Sequence, residues 1–79
     1  MSYFLYVLEN DSGRHYIGIA ENVDKRLAKH NSGSVRSTKA FRPWRVAICK
    51  EFQNKTLARK QELFLKKNYL ARAELFSKA

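Results

Sequence analysis

Tyr6 and Tyr16 stand ten residues apart, Arg26 follows after another ten, and His30 comes four residues later. These are the side chains of this sequence best suited to act on a phosphate. A guanidinium is always charged and can donate two hydrogen bonds to one oxyanion. An imidazole exchanges protons near neutral pH. A phenol, with its usual pKa of about 10, does so only where nearby cations lower that value. Glu62 is a fifth candidate, the only acid in a helical stretch otherwise rich in lysine and arginine. Each also has an ordinary explanation. The tyrosines suit a core edge with solvated hydroxyls, Arg26 a surface, and His30 a satisfied core position. Glu62 with Lys66 suits an i, i+4 surface pair worth about 0.2–0.5 kcal/mol.

These side chains act together only if the elements that carry them converge. Tyr3 to Leu8 is apolar on both alternating faces, which predicts a buried central strand. The turn formers Glu9 to Arg14, with Gly13 able to take positive φ, lead into a second strand from His15 to Ala20. Gly18 interrupts that strand and weakens it unless something approaches its backbone closely, a reason to expect a ligand there. Asn22 caps a helix from Val23 to Asn31 whose core face is Val23 and Leu27, with Arg26 and His30 neighbours along its border. Residues 32–43 have no period and form a loop of the length that is usually functional or mobile. Trp44 to Phe52 reads as a third strand with Trp44, Val46 and Ile48 on one face. Asn54 or Thr56 caps a helix from Leu57 to Tyr69, with Leu57, Ala58, Phe64, Leu65 and Tyr69 as its apolar stripe and Glu62 on the border. A last short helix runs from Ala71 to Ser77. The expected fold is α+β, β-β-α-β-α-α, with helices beside a three-stranded, mainly antiparallel sheet.

The chain has 79 residues, enough for one small domain over 1–79 whose residues 71–79 form a C-terminal helix and tail. Its longest apolar run, Tyr3 to Leu8, is far short of the roughly 20 residues of a membrane span. No signal peptide pattern is present, so the expected location is cytoplasmic. Cys49 has no disulfide partner, and one cysteine with two histidines makes no zinc pattern. A buried, inert thiol is the expectation. Net charge is +9, and between Lys25 and Lys50 eight lysines and arginines occur with no acid among them. A field of one sign attracts polyanions, which favours a nucleic-acid partner over a membrane surface.

The ordered set resembles the GIY-YIG nuclease family, in particular its small stand-alone bacterial (YhbQ-like) branch. Tyr16-Ile17-Gly18 keeps the second half of the family motif. Phe4-Leu5-Tyr6 keeps the tyrosine of the first half but not its glycine. Arg26, the pair His30-Asn31 and Glu62 stand where the family's helix arginine, His-Asn pair and metal-binding glutamate are expected. The resemblance runs from residue 3 to about residue 70.

The resemblance implies a divalent-metal-dependent endonuclease that hydrolyses phosphodiester bonds, with DNA favoured over RNA. Tyr6, Tyr16, Arg26 and His30 would be catalytic, and Glu62 would anchor one Mg²⁺ or Mn²⁺ ion among waters. Arg26 would grip a non-bridging oxygen, and either Tyr6 or His30 would accept the proton. Gly18 would leave room beside the scissile phosphate, and Lys29, Arg36, Lys39 and Arg42 would hold the nucleic-acid backbone. No obligate protein partner is visible, and a monomer or weak homodimer is expected. Two alternatives are a non-catalytic nucleic-acid-binding module, which the missing glycine favours, and a basic accessory protein docking an acidic partner.

Overall fold

A computed structural model describes residues 2–78; Met1 and the last residue of the expected tail, Ala79, lie outside them. The elements run β1 (Tyr3–Glu9), β2 (His15–Ala20), α1 (Val23–Asn31), β3 (Arg45–Phe52), α2 (Lys55–Lys67) and α3 (Tyr69–Ser77). A single 3₁₀ turn, Lys39–Phe41, interrupts the loop before β3. The order is the expected β-β-α-β-α-α.

β1 lies in the middle of the sheet, in the order β2-β1-β3, and pairs antiparallel with both neighbours. A strand flanked on both edges and covered on both faces has no position for a solvated side chain. Leu5, Tyr6, Val7 and Leu8 are accordingly all buried. The β1–β2 turn closes through Gly13 at φ 83°, the left-handed region that favours glycine. It is further held by the Asn10 side-chain oxygen, which accepts from the backbone N–H groups of Ser12 and Arg14. On one face of the sheet, Leu5, Val7 and Ile17 pack with Leu65 of α2 and with Ala71, Leu75 and Phe76 of α3. On the other, Tyr6, Leu8, Ala20 and Trp44 pack with Val23 and Leu27 of α1. No helix among the described residues is long and apolar enough to cross a membrane.

Three expectations are corrected. The register of β3 shifts between Val7 and Leu8, which pair with Ile48 and Val46, so Ala47 is an extra residue. Such a bulge reverses the alternation beyond it. Ile48 therefore packs with the α2 side of the sheet, and Trp44 and Val46 with the α1 side.

The expected helix from Leu57 to Tyr69 is instead two helices, broken at Asn68 in extended conformation. Asn68 caps α3 from its side chain, as Asn22 caps α1 and Asn54, not Thr56, caps α2. Tyr69 thus leaves the α2 wheel. The buried face of α2 is Ala58, Glu62 and Leu65, while Phe64 and Tyr69 are 51% and 70% exposed.

Cys49 is exposed, because β3 is an edge strand and the thiol opens onto a shallow groove with Asn22 and Asp24.

Candidate active site

The hairpin register sets Tyr6 opposite Gly18 and Leu8 opposite Tyr16, so both tyrosines face α1. A Cβ at position 18 would lie 2.5 Å from the Tyr6 hydroxyl and 2.6 Å from its Cζ. The absent side chain is the space in which the Tyr6 phenol lies as it crosses β2. The ring is 1% exposed, and its oxygen is 3.0 Å from Nε2 of His30, itself fully buried. The other ring nitrogen, Nδ1, is 2.8 Å from the Thr38 hydroxyl. Tyr16 meets His30 edge to face, with ring centroids 4.8 Å apart. Arg26, half-buried one turn before His30, brings its guanidinium to the Tyr6 hydroxyl. It also lines an open groove of about 340 Å³ with Lys25 and Lys29. Four expected residues, Tyr6, Tyr16, Arg26 and His30, therefore converge at one point.

Burial pushes the Tyr6 hydroxyl above its usual pKa, and the opposing pull of Arg26 does not reverse this. Burial, and then the charge of Arg26, lower the His30 pKa. At neutral pH the pair therefore consists of a protonated phenol and a neutral imidazole. The stability consequence has a definite sign. As pH falls, unfolded chains take up the imidazole proton first, near pH 6.5. The contribution of His30 is thus complete above about 6.5 and is lost as pH falls through the lower folded pKa. Urea unfolding of His30→Gln at about pH 7.5 and about pH 5 is expected to show a smaller loss of stability with acid than the native chain.

Glu62 lies on the other helical layer, 4% exposed. Its two oxygens accept from Arg59 at 2.9 Å and Lys66 at 3.0 Å. Lys66 in turn lines a groove of about 270 Å³ with Tyr16 and His15, so this side of α2 meets the open edge of β2. The carboxylate is near enough to Tyr6 for its charge to raise the phenol pKa. No cluster of three or more His, Cys, Asp or Glu that could hold a metal occurs among the described residues. One carboxylate with spare lone pairs fits a hydrated hard ion such as Mg²⁺ or Mn²⁺, and not a cage of protein ligands.

Of the expected backbone-binding residues, Lys29 lies in the Arg26 groove. Arg36, Lys39 and Arg42 are exposed in the segment before β3. Arg42 turns back on that segment, donating from Nε to the Lys39 carbonyl at 2.7 Å. Sequence reasoning missed Thr38, 1% exposed and bonded to His30. The nearest signal was a hydroxyl among small polar residues, which does not distinguish a buried partner from a loop surface. It also missed Arg14, whose guanidinium stacks 3.9 Å above the Phe41 ring beside Tyr16.

Residues 2–75 match the GIY-YIG catalytic domain. The chain belongs to the GIY-YIG family. Within that family it is similar to small bacterial UPF0213 proteins. One from Streptococcus pneumoniae serotype 4 is 35% identical over 74 residues, covering 92% of this chain and 75% of its own length. The UPF0213 protein YsiG of Lactococcus lactis is 36% identical, covering 86% of this chain and 78% of the relative. The solution NMR structure of a UPF0213 protein from Bacillus halodurans superposes with a TM-score of 0.60 at 30% identity, covering 98% of this chain and 84% of that one. The GIY-YIG match takes in all five candidate residues. At the position of the first glycine of the family name this chain has Phe4, whose side chain lines the groove beside Cys49.

Proposed function

We propose that the protein is a divalent-metal-dependent endonuclease that hydrolyses phosphodiester bonds of DNA. The observation that carries this reading is the meeting of Tyr6, Tyr16, Arg26 and His30 around one hydroxyl in a chain that belongs to a family of catalytic domains. Arg26 grips a non-bridging phosphate oxygen, and Lys25 and Lys29 carry the neighbouring backbone along the same groove. An attacking water forms the new bond to phosphorus while its proton passes into the Tyr6–His30 pair. One phosphate ester bond breaks, and the departing oxygen takes a proton from solvent. Glu62 would hold a hydrated Mg²⁺ or Mn²⁺, which when bound supplies positive charge to the phosphate and the leaving oxygen. Contacts are to the backbone, so little base preference is expected.

A plasmid-nicking assay over a range of Mg²⁺ and Mn²⁺ concentrations tests this. The native chain is expected to nick, and Glu62→Gln to lose activity by about 10²-fold or more. Lys66→Ala, which frees one Glu62 oxygen, is expected to lower the metal concentration giving half-maximal activity. Nicking that survives Glu62→Gln overturns the metal anchor. Salt-sensitive binding with no cleavage under any metal condition overturns the enzyme and leaves a binding module.

A further inference from the structure

We propose that Thr38 is a positioning residue that fixes the tautomer of His30, and thereby makes His30 the acceptor of the Tyr6 proton. The inference rests on the nuclease reading for its catalytic consequence, but not for the tautomer itself.

Hydrogen-bond arguments from two sides of the imidazole agree. The first comes from the loop. The Thr38 hydroxyl has one proton to give and lone pairs with which to accept. The carbonyl of Val35 accepts from the Thr38 and Lys39 N–H groups and stands 3.4 Å from the Thr38 hydroxyl, a third and longer contact that can take its proton. With its proton directed there, Thr38 turns a lone pair to Nδ1 of His30 at 2.8 Å and accepts from it. A neutral imidazole protonated at Nδ1 has its lone pair at Nε2.

The second argument comes from the strand. The Tyr6 hydroxyl meets Nε2 at 3.0 Å and has the Arg26 guanidinium beside it. A guanidinium offers donors only. If Nε2 donated, the phenol's own proton, in a site 1% exposed, would have no acceptor. With the lone pair at Nε2, every proton has a partner, in keeping with the absence of unsatisfied buried side-chain atoms among the described residues.

Thr38 is itself held in place. The Trp44 indole N–H donates to the Thr38 carbonyl at 3.0 Å. Trp44 is in turn clamped at both backbone groups by Asn31: its N–H donates to the Asn31 side-chain oxygen, and its carbonyl accepts from the Asn31 amide at 2.9 Å. Asn31 directly follows His30. The connection therefore runs from α1 through Trp44, just before β3, and the loop back to the imidazole, a closed circuit that leaves the ring little freedom to turn. The groups facing His30 are Tyr6 from β1, Tyr16 from β2, Arg26 from its own helix and Thr38 from the loop. None is an acid, so nothing there favours an imidazolium before reaction. When water gives its proton to the Tyr6 oxygen, the phenol proton moves to Nε2, and the charge gained on His30 is returned to solvent after the ester bond breaks. Tyr6 thus serves as a base without ever becoming a free phenolate, which its raised pKa opposes.

The test is ¹⁵N NMR of the histidine rings in the native chain, Thr38→Val and Thr38→Ser, combined with single-turnover cleavage. The native ring is expected to be neutral with its hydrogen on Nδ1. Thr38→Val should shift the tautomer balance towards Nε2–H and lower kcat by about 10- to 100-fold with KM little changed. Thr38→Ser should restore both. A His30 signal, told apart from that of His15 by its loss in His30→Gln, with the hydrogen on Nε2 in the native chain overturns the assignment, as does a Thr38→Val variant with native tautomer and native kcat. An Nδ1–H ring that Thr38→Val disturbs, in a chain that cleaves no nucleic acid, upholds the role of Thr38 and overturns the nuclease reading alone.

Discussion

Arg26→Ala is expected to lower single-turnover DNA cleavage by about 10²–10³-fold, equivalent to about 2.7–4 kcal/mol of transition-state stabilisation. Two losses combine. The guanidinium lines the groove with Lys25 and Lys29, where a phosphate would lie, and supplies the paired donors suited to its oxygens. The same group stands at the Tyr6 hydroxyl and is the main influence opposing its upward pKa shift. Removing it makes the phenol harder to deprotonate just where a proton must move. His30 responds in the opposite sense: relieved of a neighbouring cation, it becomes easier to protonate. The acid limb of the pH–rate profile should therefore move to higher pH in the variant, a signature that simple loss of affinity does not give. Arg26→Lys keeps the charge but not the fork, so it should recover the pH profile better than the rate. Folding stability should change by about 1 kcal/mol or less, as for removal of one polar partner from a half-buried position. Cleavage by Arg26→Ala within about threefold of native would show that the phosphate lies elsewhere.

Local signals were sufficient for the half of the site carried by β1, β2 and α1. Tyr3 to Leu8 is apolar at every position because the strand is central, and His15–Ala20 and Val23–Asn31 have the bounds their periodicity and the Asn22 cap predict. That Arg26 and His30 are neighbours follows from helical spacing alone; their place in a site follows from the family resemblance. What the pattern did not give was set by distant contacts. Glu62 reads as the rim of an apolar stripe that includes Phe64 and Tyr69, yet those two face solvent and the carboxylate lies inside. For Tyr69 the cause is Asn68: a helix drawn through to Tyr69 makes it an interior residue, although it caps α3 with the same side-chain bond that Asn22 and Asn54 make. The face of Ile48 depended on a bulge at Ala47 that alternation cannot reveal. Thr38 lacks even a misleading signal, since its burial comes from Trp44 folding over the loop.

Gly18→Ala is the substitution for which intrinsic preference and tertiary packing give opposite signs, and packing should win. Gly18 does not have positive φ, so alanine fits its backbone. On backbone grounds alone, replacing a strand glycine should stabilise by roughly 0.5–1 kcal/mol. The new methyl, however, would come within 2.5 Å of the Tyr6 hydroxyl, 2.6 Å of Cζ and 3.1 Å of the Tyr16 ring. Tyr6 is 1% exposed, held between β2 and His30, and cannot withdraw without moving its neighbours. Overpacking of this kind costs about 1–3 kcal/mol, so net destabilisation of about 1–2 kcal/mol is expected in urea unfolding. The functional loss should be larger than the stability loss. Any shift of the phenol lengthens its 3.0 Å contact with His30, and a displacement of about 1 Å at reacting groups can cost about 10²-fold in rate. A double-mutant cycle separates this from a general strand defect. In a Tyr6→Ala background only the 3.1 Å approach to the Tyr16 ring remains, so most of the cost of Gly18→Ala should disappear, with a coupling energy of about 1–3 kcal/mol. Additive effects would mean that Gly18 serves something other than Tyr6. Full activity in Gly18→Ala would mean that the position of the phenol is not what the reaction requires. Coupling together with lost activity would make the glycine of the Tyr-Ile-Gly motif the space that lets a tyrosine on β1 reach across β2 to a histidine on α1.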